Sequence, residues 1–431
     1  MAIDSEPSVH APPIDSAVAA ELAPWVALDA QLVEVAKSIK VLGRLTWPAK
    51  TADDFLDGWR RGNPRLPQIQ YPKIDVGEKR ERLRQIRLQA AADHPVAAYI
   101  RATAKSYELA ATMLESVGSP AFTELSAHLY ARPSDRVASS PRSHLDVANR
   151  ILERTADVRE PAVSENDYCI LPATVQRTLQ ARADQIFGVG QVRIELDPQL
   201  VSKAAAGASR IRIRGATCYT VLDTPQLLEH ELLVHTVTMA NGRRQPYLRS
   251  LGLGAPRTTL TQEGIATFAE LITNTMDLNR LRRIALRVQA LQLALDGANF
   301  IEVFRFFLES GHSESESFLS TARVFRGGSV HGGQAFLKDT VYLAGLLSVH
   351  YFLRTVIQEN RGDLIPYLFA GRLTLGDVLA LAPFFRAGFV QPPALQPDWV
   401  RNHRCLSAFL LYSNLAQDVD LSGFTLDGFA K

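Results

Sequence analysis

The stretch LLEHELLVHTVT, residues 227–238, sets His230 beside Glu231 and places a second histidine, His235, five residues after the first. In a regular α-helix side chains four apart share a face, whereas side chains five apart diverge by about 140°. The familiar zinc-hydrolase motif H-E-x-x-H uses the four-residue spacing. Here two rings could grip one ion only if the helix widened: a π-type turn of about 4.4 residues brings side chains five apart back to within about 50°. The spacing therefore predicts either a locally π-helical metal site or an ordinary buried helix carrying two unrelated histidines.

A tetrahedral catalytic zinc takes three protein ligands and leaves its fourth position open. Downstream, TLTQEGIATFAELI (259–272) offers Glu263 in the first turn of a helix capped by Thr259 or Thr261, with Glu270 seven residues on and on the same face. A first-turn Glu also favours the helix dipole with no ligand role, and Glu270 could simply face solvent. The expectation is Glu263 as the third ligand and Glu270 behind it, orienting a histidine or a nearby Arg. A Glu supplied by the next helix after His-Glu…His is the gluzincin arrangement.

A chain of 431 residues can bury a large core and suggests two or three structural units. The organisation expected is a disordered N-terminus (1–22), a helical region (23–145), a zincin-like catalytic region (146–420) and a C-terminal tail (421–431). Hydrophobic residues make up 46% and charged residues 21%, the balance of an ordinary globular protein. A net charge of +2, with no basic run interleaved with aromatics, gives no electrostatic case for nucleic acid or an anionic membrane. Cys169, Cys218 and Cys405 are odd in number and far apart, which predicts reduced thiols in a reducing compartment. The first residues are acidic and lack an apolar h-region, and no run of about 18 apolar residues occurs. These features predict a cytoplasmic protein.

Helical periodicity appears at about 24–42, 77–92, 95–117, 121–131, 225–240, 259–275, 277–297, 299–310 and 335–356. A Pro-rich stretch, 60–76, reads as an extended connector, and 131–144 as a loop. VRIEL (192–196) and SRIRIRG (209–215) alternate as strands do, and ATCYTVL (216–222) is a candidate third. RIRIR (210–214) could be an edge strand that aligns a peptide by β-addition, or a charged edge that discourages aggregation; the second reading is preferred. The fold class expected is α+β, predominantly helical, with a small sheet next to the helix that carries His230.

HELLVH (230–235), NGRRQPY (241–247) and TQEGIA (261–266) together resemble the QEGLA-motif proteins. Bacterial members are called flavohaemoglobin expression-modulating QEGLA proteins; the eukaryotic relatives are microtubule-associated tyrosine carboxypeptidases, which remove the C-terminal tyrosine of α-tubulin. The likeness extends to RVFRGG (323–328), to FLKDTVYLAG (336–345) and more weakly to SAHLYARPSD (126–135), and spans about 25–420. It implies one zinc per chain held by His230, His235 and Glu263, with Glu231 catalytic, a gluzincin-like metallopeptidase core, and a peptide or protein C-terminus as substrate. Two departures stand out. Leu233 and Val234 fill the Gly-Thr slots of the family's H-E-I-G-T-H, which bears on substrate preference more than on metal binding, and QEGLA reads QEGIA. HELLVH also resembles the HELLGH of dipeptidyl peptidase III, but the adjacent QEGIA and RRQP segments fit that family less well.

With zinc bound, Glu231 would take a proton from water and deliver it to the leaving amine. Tyr342, His331 and Arg326 are candidate donors to the developing oxyanion. A C-terminal exopeptidase must also hold a free carboxylate, for which Arg243, Arg244, Arg326 and Lys338 fall in motif-bearing segments, Arg244 and Lys338 being preferred. Asn241 and Gln245 are expected to fix the turn after the active helix, Asn241 as part of the layer behind the ligands. The competing readings are a dipeptidyl peptidase III-like exopeptidase and a non-catalytic helical regulatory protein whose structural metal is closed by a fourth ligand, His312, His331 or His350.

Overall fold

The structure, a computed structural model, describes residues 16–138, 140–158 and 169–418. It is predominantly helical with one small sheet, the α+β class expected. The first helix, α1 (Ser16–Ala36), begins inside the segment expected to be disordered and runs through Pro24. Leu22, Leu28, Leu32 and Val35 are buried at helical spacing, which seats the helix on the core from Leu22 onward. The disorder expected of residues 1–15, and the tail expected from 421, lie outside the described residues. After α2 (Val41–Arg44) comes α3 (Lys50–Arg60), absent from the sequence-based expectation. Its Phe55 stacks into an aromatic cluster with Phe300, Phe304 and Phe318, contacts made far along the chain. Residues 63–76 form the extended connector. Next, α4 (Gly77–Gln89), α5 (Pro95–Glu115) and α6 (Pro120–Tyr130) fall where periodicity placed them. Pro95 and Pro120 sit in first turns, where a missing N–H leaves no bond unmade.

Two more helices went unread: α7 (His144–Thr155), opened by a Ser143–Asp146 capping box, and α8 (Pro172–Phe187), which buries only the thin stripe Val175, Leu179 and Ala183. That stripe packs under a three-stranded sheet of β1 (Arg193–Asp197), β2 (Ala204–Ala206) and β3 (Arg210–Arg214). The order is β1-β3-β2, with β1 and β3 parallel and β2 and β3 antiparallel. This corrects two expectations. The third strand is the short Ala204–Ala206, not 216–222, of which only Tyr219 makes a bridge, to Ile170. RIRIR is the central strand, so neither edge reading applies: Ile211 and Ile213 point into the core and the arginines to the other face. The open edge beside the helix that carries His230 is β2.

The expectation of three thiols is also overturned. The Ile170–Tyr219 bridge brings neighbouring residues together, and Cys169 and Cys218, with Cα atoms 5.0 Å apart, form a disulfide; Cys405 is free and exposed. The pair stands 49 residues apart in sequence, and no spacing rule joins it.

The chain then runs as one continuous helix through α9 (Asp223–Leu227), a π-helical segment (Leu228–Thr236) and α10 (Val237–Arg243). Leu232 faces the core of the sheet, whereas Val234 and Val237 face the main core, so this helix is wedged between two apolar bodies. The rest of the fold is α11 (Thr259–Ile272), α12 (Leu278–Leu295), α13 (Phe300–Glu309), α14 (Glu314–Phe325), α15 (Thr340–Gln358), α16 (Leu375–Arg386), α17 (Asp398–Arg401) and α18 (His403–Asp418). α14 is a further helix missing from the expectation. α15 with the preceding turn is long and apolar enough to cross a membrane by length and composition, yet more than half of that stretch is buried inside the protein. It is a central core helix, pressed against α11. One apolar cluster extends from Leu22 to Leu410 and joins the N-terminal helices to α11 and α15.

A buried acid ties α1 to this body. Asp29 accepts hydrogen bonds from the backbone N–H of Ser250 at 3.1 Å and from its hydroxyl, which also meets the Tyr99 hydroxyl at 2.9 Å. Burial pushes the Asp29 carboxyl up from 3.8 to about 6, against the opposing effect of the Ser250 bonds. The folded chain therefore holds this proton more tightly than the unfolded chain. The resulting stability is full below about pH 3.8 and lost as pH rises through about 6, a total of roughly 3 kcal/mol. Urea denaturation should show wild type losing about 1 kcal/mol more than Asp29→Asn between about pH 5 and about pH 7. Equal slopes for the two proteins would refute this account of Asp29.

Candidate metal centre

The five-residue spacing of the histidines is accommodated by the backbone. At the end of the π-helical segment the N–H of Val237 bonds to the carbonyl of Leu232, five residues back. Across this widened turn the rings of His230 and His235 stand at right angles, with centroids 4.8 Å apart. α11 crosses in front, and Glu263 presents Oε2 at 3.4 Å from His230 Nε2 and 3.6 Å from His235 Nε2. These separations are too long for good hydrogen bonds. Glu263 Oε2 is buried without a hydrogen-bond partner, and the three side chains each direct one ligand atom into a region where all lie within 4.8 Å of one another. Two imidazole nitrogens and one carboxylate oxygen around a shared gap form a donor set that fits zinc with a position left open. Among the described residues no fourth ligand joins them. His312 lines the adjoining cavity, His350 packs against Phe268, and His331 is exposed.

Two of the three candidate ligands are braced from behind. His230 donates from Nδ1 to Glu270 Oε1 at 2.6 Å, and Glu270, fully buried, accepts from Gln226 at 2.7 Å and from both ends of the Arg280 fork at 2.9 Å. Burial alone would raise the Glu270 carboxyl and lower the His230 imidazole. Arg280 and His230 instead hold Glu270 well below the usual carboxylate range, while Glu263 and Glu270 bring His230 up to about 10. His235 lacks such an acid behind it: its Nδ1 is buried without a partner, and burial lowers its pKa. Glu263 is charged despite burial, because Lys338 donates to its Oε1 at 2.9 Å. Gln262, one residue earlier, accepts from Thr238 at 2.8 Å and so locks α11 to the metal helix.

Glu231 lines an adjoining cavity of about 140 Å³, and its Oε2 accepts from the Ala206 backbone N–H at 3.0 Å. The same cavity is lined by His230, Glu270, Tyr342 and several arginines of α12 and α14. Tyr342 carries the Lys338 ammonium and the Arg287 guanidinium each 5.1 Å from its ring centroid, with Arg280 and Arg323 at 5.9 Å. Burial and Glu263 would raise its phenol, but Lys338 and Arg323 outweigh them and lower it.

The remaining residues singled out from sequence fall elsewhere. Arg243 and Arg244 are exposed at the end of α10, outside the cavity lining. Arg326 lies against the Phe336 ring and also outside that lining. Lys338 is bonded to the ligand Glu263, so its charge serves that carboxylate. Asn241 does not stand behind the ligands. Its amide donates to the carbonyls of Phe369 and Leu395, and Gln245 likewise grips Ala370 and Gln391, so the pair fastens two C-terminal segments to the metal helix. α11 begins at Thr259 after Thr258, and neither Thr259 nor Thr261 caps it. Sequence reasoning missed Arg280, Arg287 and Gln226, for which no local motif exists; the helical spacing of Arg280, Arg283 and Arg287, three and then four residues apart, was the nearest available signal.

The model of one protein family, described as microtubule-associated tyrosine carboxypeptidase, matches residues 54–418. No curated protein matches the chain.

Proposed function

The chain belongs to the microtubule-associated tyrosine carboxypeptidase family, and from that premise we propose that it is a zinc-dependent metallocarboxypeptidase that removes a C-terminal residue from a peptide or protein. The observation that carries the metal part of this reading is the buried, unpartnered Glu263 Oε2 facing two imidazole nitrogens at 3.4 and 3.6 Å. His230, His235 and Glu263 would hold the ion, in a gluzincin-like arrangement. Zinc bound there supplies a Lewis acid that polarises the scissile carbonyl and makes water acidic enough to react near neutral pH.

The chain's own residues do the rest. Glu231, a neighbour of a ligand and not one itself, takes up the proton of the attacking water on its carboxylate and returns it to the departing amine. Its anchorage to Ala206 N–H keeps the carboxylate over the cavity. Tyr342, its phenol acidified by Lys338 and Arg323, is placed to donate a hydrogen bond to the carbonyl oxygen as negative charge develops there. Glu270 and Arg280 keep the His230 ring in one orientation, and Lys338 keeps Glu263 ionised. The cavity beside His230 and Glu231 carries several arginines on its walls, which would suit a chain end bearing negative charge.

The test is digestion of a library of peptides with free C-termini. Purified protein should contain about one zinc per chain and release single C-terminal residues. Chelation should abolish release, and added zinc should restore it. Release of N-terminal dipeptides, or activity that survives complete metal removal, would refute the proposal.

A further inference from the structure

One covalent bond closes a small part of the fold on itself. Cys169 stands just before α8 and Cys218 shortly before the metal helix, so the disulfide between them encloses α8 and the three strands. The core inside that loop is thin: strands of five, three and five residues lie over the narrow stripe of α8. Strands this short form a stable sheet only with support from neighbouring elements. Leu227 and Leu232 of the metal helix give that support on one side, and the disulfide ties the two ends of the loop. Both cysteines are exposed. An exposed disulfide is open to exchange with thiols in solution, from which a buried one is shielded.

The bond is linked to Glu231 through one short strand. Tyr219, next to Cys218, pairs with Ile170, next to Cys169, through two backbone hydrogen bonds of 2.9 and 3.1 Å. The buried Tyr219 side chain brings its hydroxyl to the carbonyls of Lys203 and Arg214, at 3.1 and 2.9 Å, where β2 begins and β3 ends. Lys203 also bonds Asp223, at the start of α9. At the far end of β2 the Ala206 N–H holds the Glu231 carboxylate at 3.0 Å. The strand that anchors Glu231 is therefore pinned at its other end by the residue beside Cys218. The candidate metal ligands are held differently: His230, His235 and Glu263 all lie outside the loop that the disulfide closes, and α11 packs in the main core.

We propose that Cys169 and Cys218 form a reversible thiol–disulfide switch on the hydrolytic site, operated by a dithiol. One thiolate of the dithiol attacks a sulfur of the pair, giving a mixed disulfide and one free cysteine; its second thiolate then displaces the other cysteine. The protein gains two electrons and two protons as two thiols, and the dithiol leaves oxidised to a disulfide. The reverse exchange restores the closed form. With the loop open, β2 and β3 come apart more often, the Ala206 N–H releases Glu231, and hydrolysis falls while the metal stays. The functional consequence rests on the carboxypeptidase reading above; the opening of the sheet is measured independently of it.

The experiment treats the zinc-loaded protein with reduced and then oxidised dithiothreitol. It follows thiol content, amide hydrogen exchange across Ala204–Arg214, zinc content and release of a C-terminal residue from a peptide. Before reduction only the Cys405 thiol should react, and all three cysteines should react after it. Exchange in β2 and β3 should quicken by about 10²- to 10³-fold on reduction, the loop-closure effect for a separation of 49 residues. Hydrolysis should fall by about tenfold or more with zinc retained, and reoxidation should reverse both changes. The double variant Cys169→Ser/Cys218→Ser should match the reduced protein and ignore dithiothreitol, which separates the switch from any chelation of zinc by the reagent. Three thiols that oxidised dithiothreitol does not close, or exchange unchanged by reduction, overturn the switch. Faster exchange with undiminished hydrolysis overturns it too and leaves a structural staple. A protein that hydrolyses no peptide in either state removes the carboxypeptidase reading, and reversible exchange at β2 then decides the switch alone. If the double variant does not fold, reduced wild type alkylated with iodoacetamide decides in its place: exchange and hydrolysis at the oxidised level overturn the proposal, and those of the reduced protein support it.

Discussion

Glu231→Gln is expected to retain its zinc and lose peptide hydrolysis by about 10³- to 10⁴-fold. The substitution is nearly isosteric, and its amide oxygen can still accept from the Ala206 N–H that holds the native carboxylate at 3.0 Å. Glu231 is not among the three residues whose donor atoms cluster, so the metal site should be undisturbed. What disappears is a group able to take a proton and give it back. Steady-state kinetics on a peptide released by wild type, with metal analysis of the same preparation, separates the two effects. Activity within tenfold of wild type would remove Glu231 from the chemistry, and a parallel loss of zinc would make its role structural.

The second large effect is expected at two residues that have no side chain. Gly264, of the QEGIA segment, and Gly345, at the end of FLKDTVYLAG, face each other where α11 crosses α15. A Cβ on Gly264 would lie 2.3 Å from the Gly345 carbonyl oxygen, and a Cβ on Gly345 would lie 2.3 Å from that of Leu260. The neighbours in both cases are backbone, which cannot swing aside as a side chain can. Gly264→Val must therefore force the helices apart, carrying Glu263 away from the histidines and from Lys338. A loss of more than about 4 kcal/mol is expected, with metal binding lost in whatever fraction folds. Gly43→Ala is the control, because nothing lies within 4 Å of a Cβ built there. Thermal denaturation and zinc content measure both variants. A Gly264→Val protein that melts with wild type and binds zinc would show that the crossing is looser than its geometry indicates.

Those two glycines illustrate how unevenly the site was legible. The spacing of His230 and His235 contained its own solution, because five residues can share a face in only one way, a widened turn. Glu263 and Glu270 were readable for a similar reason: seven residues along a regular helix returns to the same face. Lys338 and Asp339 were visible as a motif, yet their chemistry was not. Lys338 reads from sequence as a substrate residue, yet it is bonded to Glu263, the candidate ligand, at 2.9 Å, while Asp339 holds Arg323. Asn241 and Gln245 were correctly placed near the turn, but their partners, the carbonyls of Phe369, Leu395, Ala370 and Gln391, come from segments more than a hundred residues on.

The amino-acid sequence by itself determined what short-range geometry governs: most of the long helices, two of the three strands, the bulged helix and the two faces it presents. Periodicity carries that information because a helix or strand relates residues only a few positions apart. It could not show that RIRIR lies at the centre of the sheet, that Cys169 meets Cys218, or that α3, with its single buried pair, is held by phenylalanines of α13 and α14. Nor could it show which cations stay unpaired. Those outcomes depend on which surfaces meet after distant elements pack, which no relation between residues a few positions apart can express.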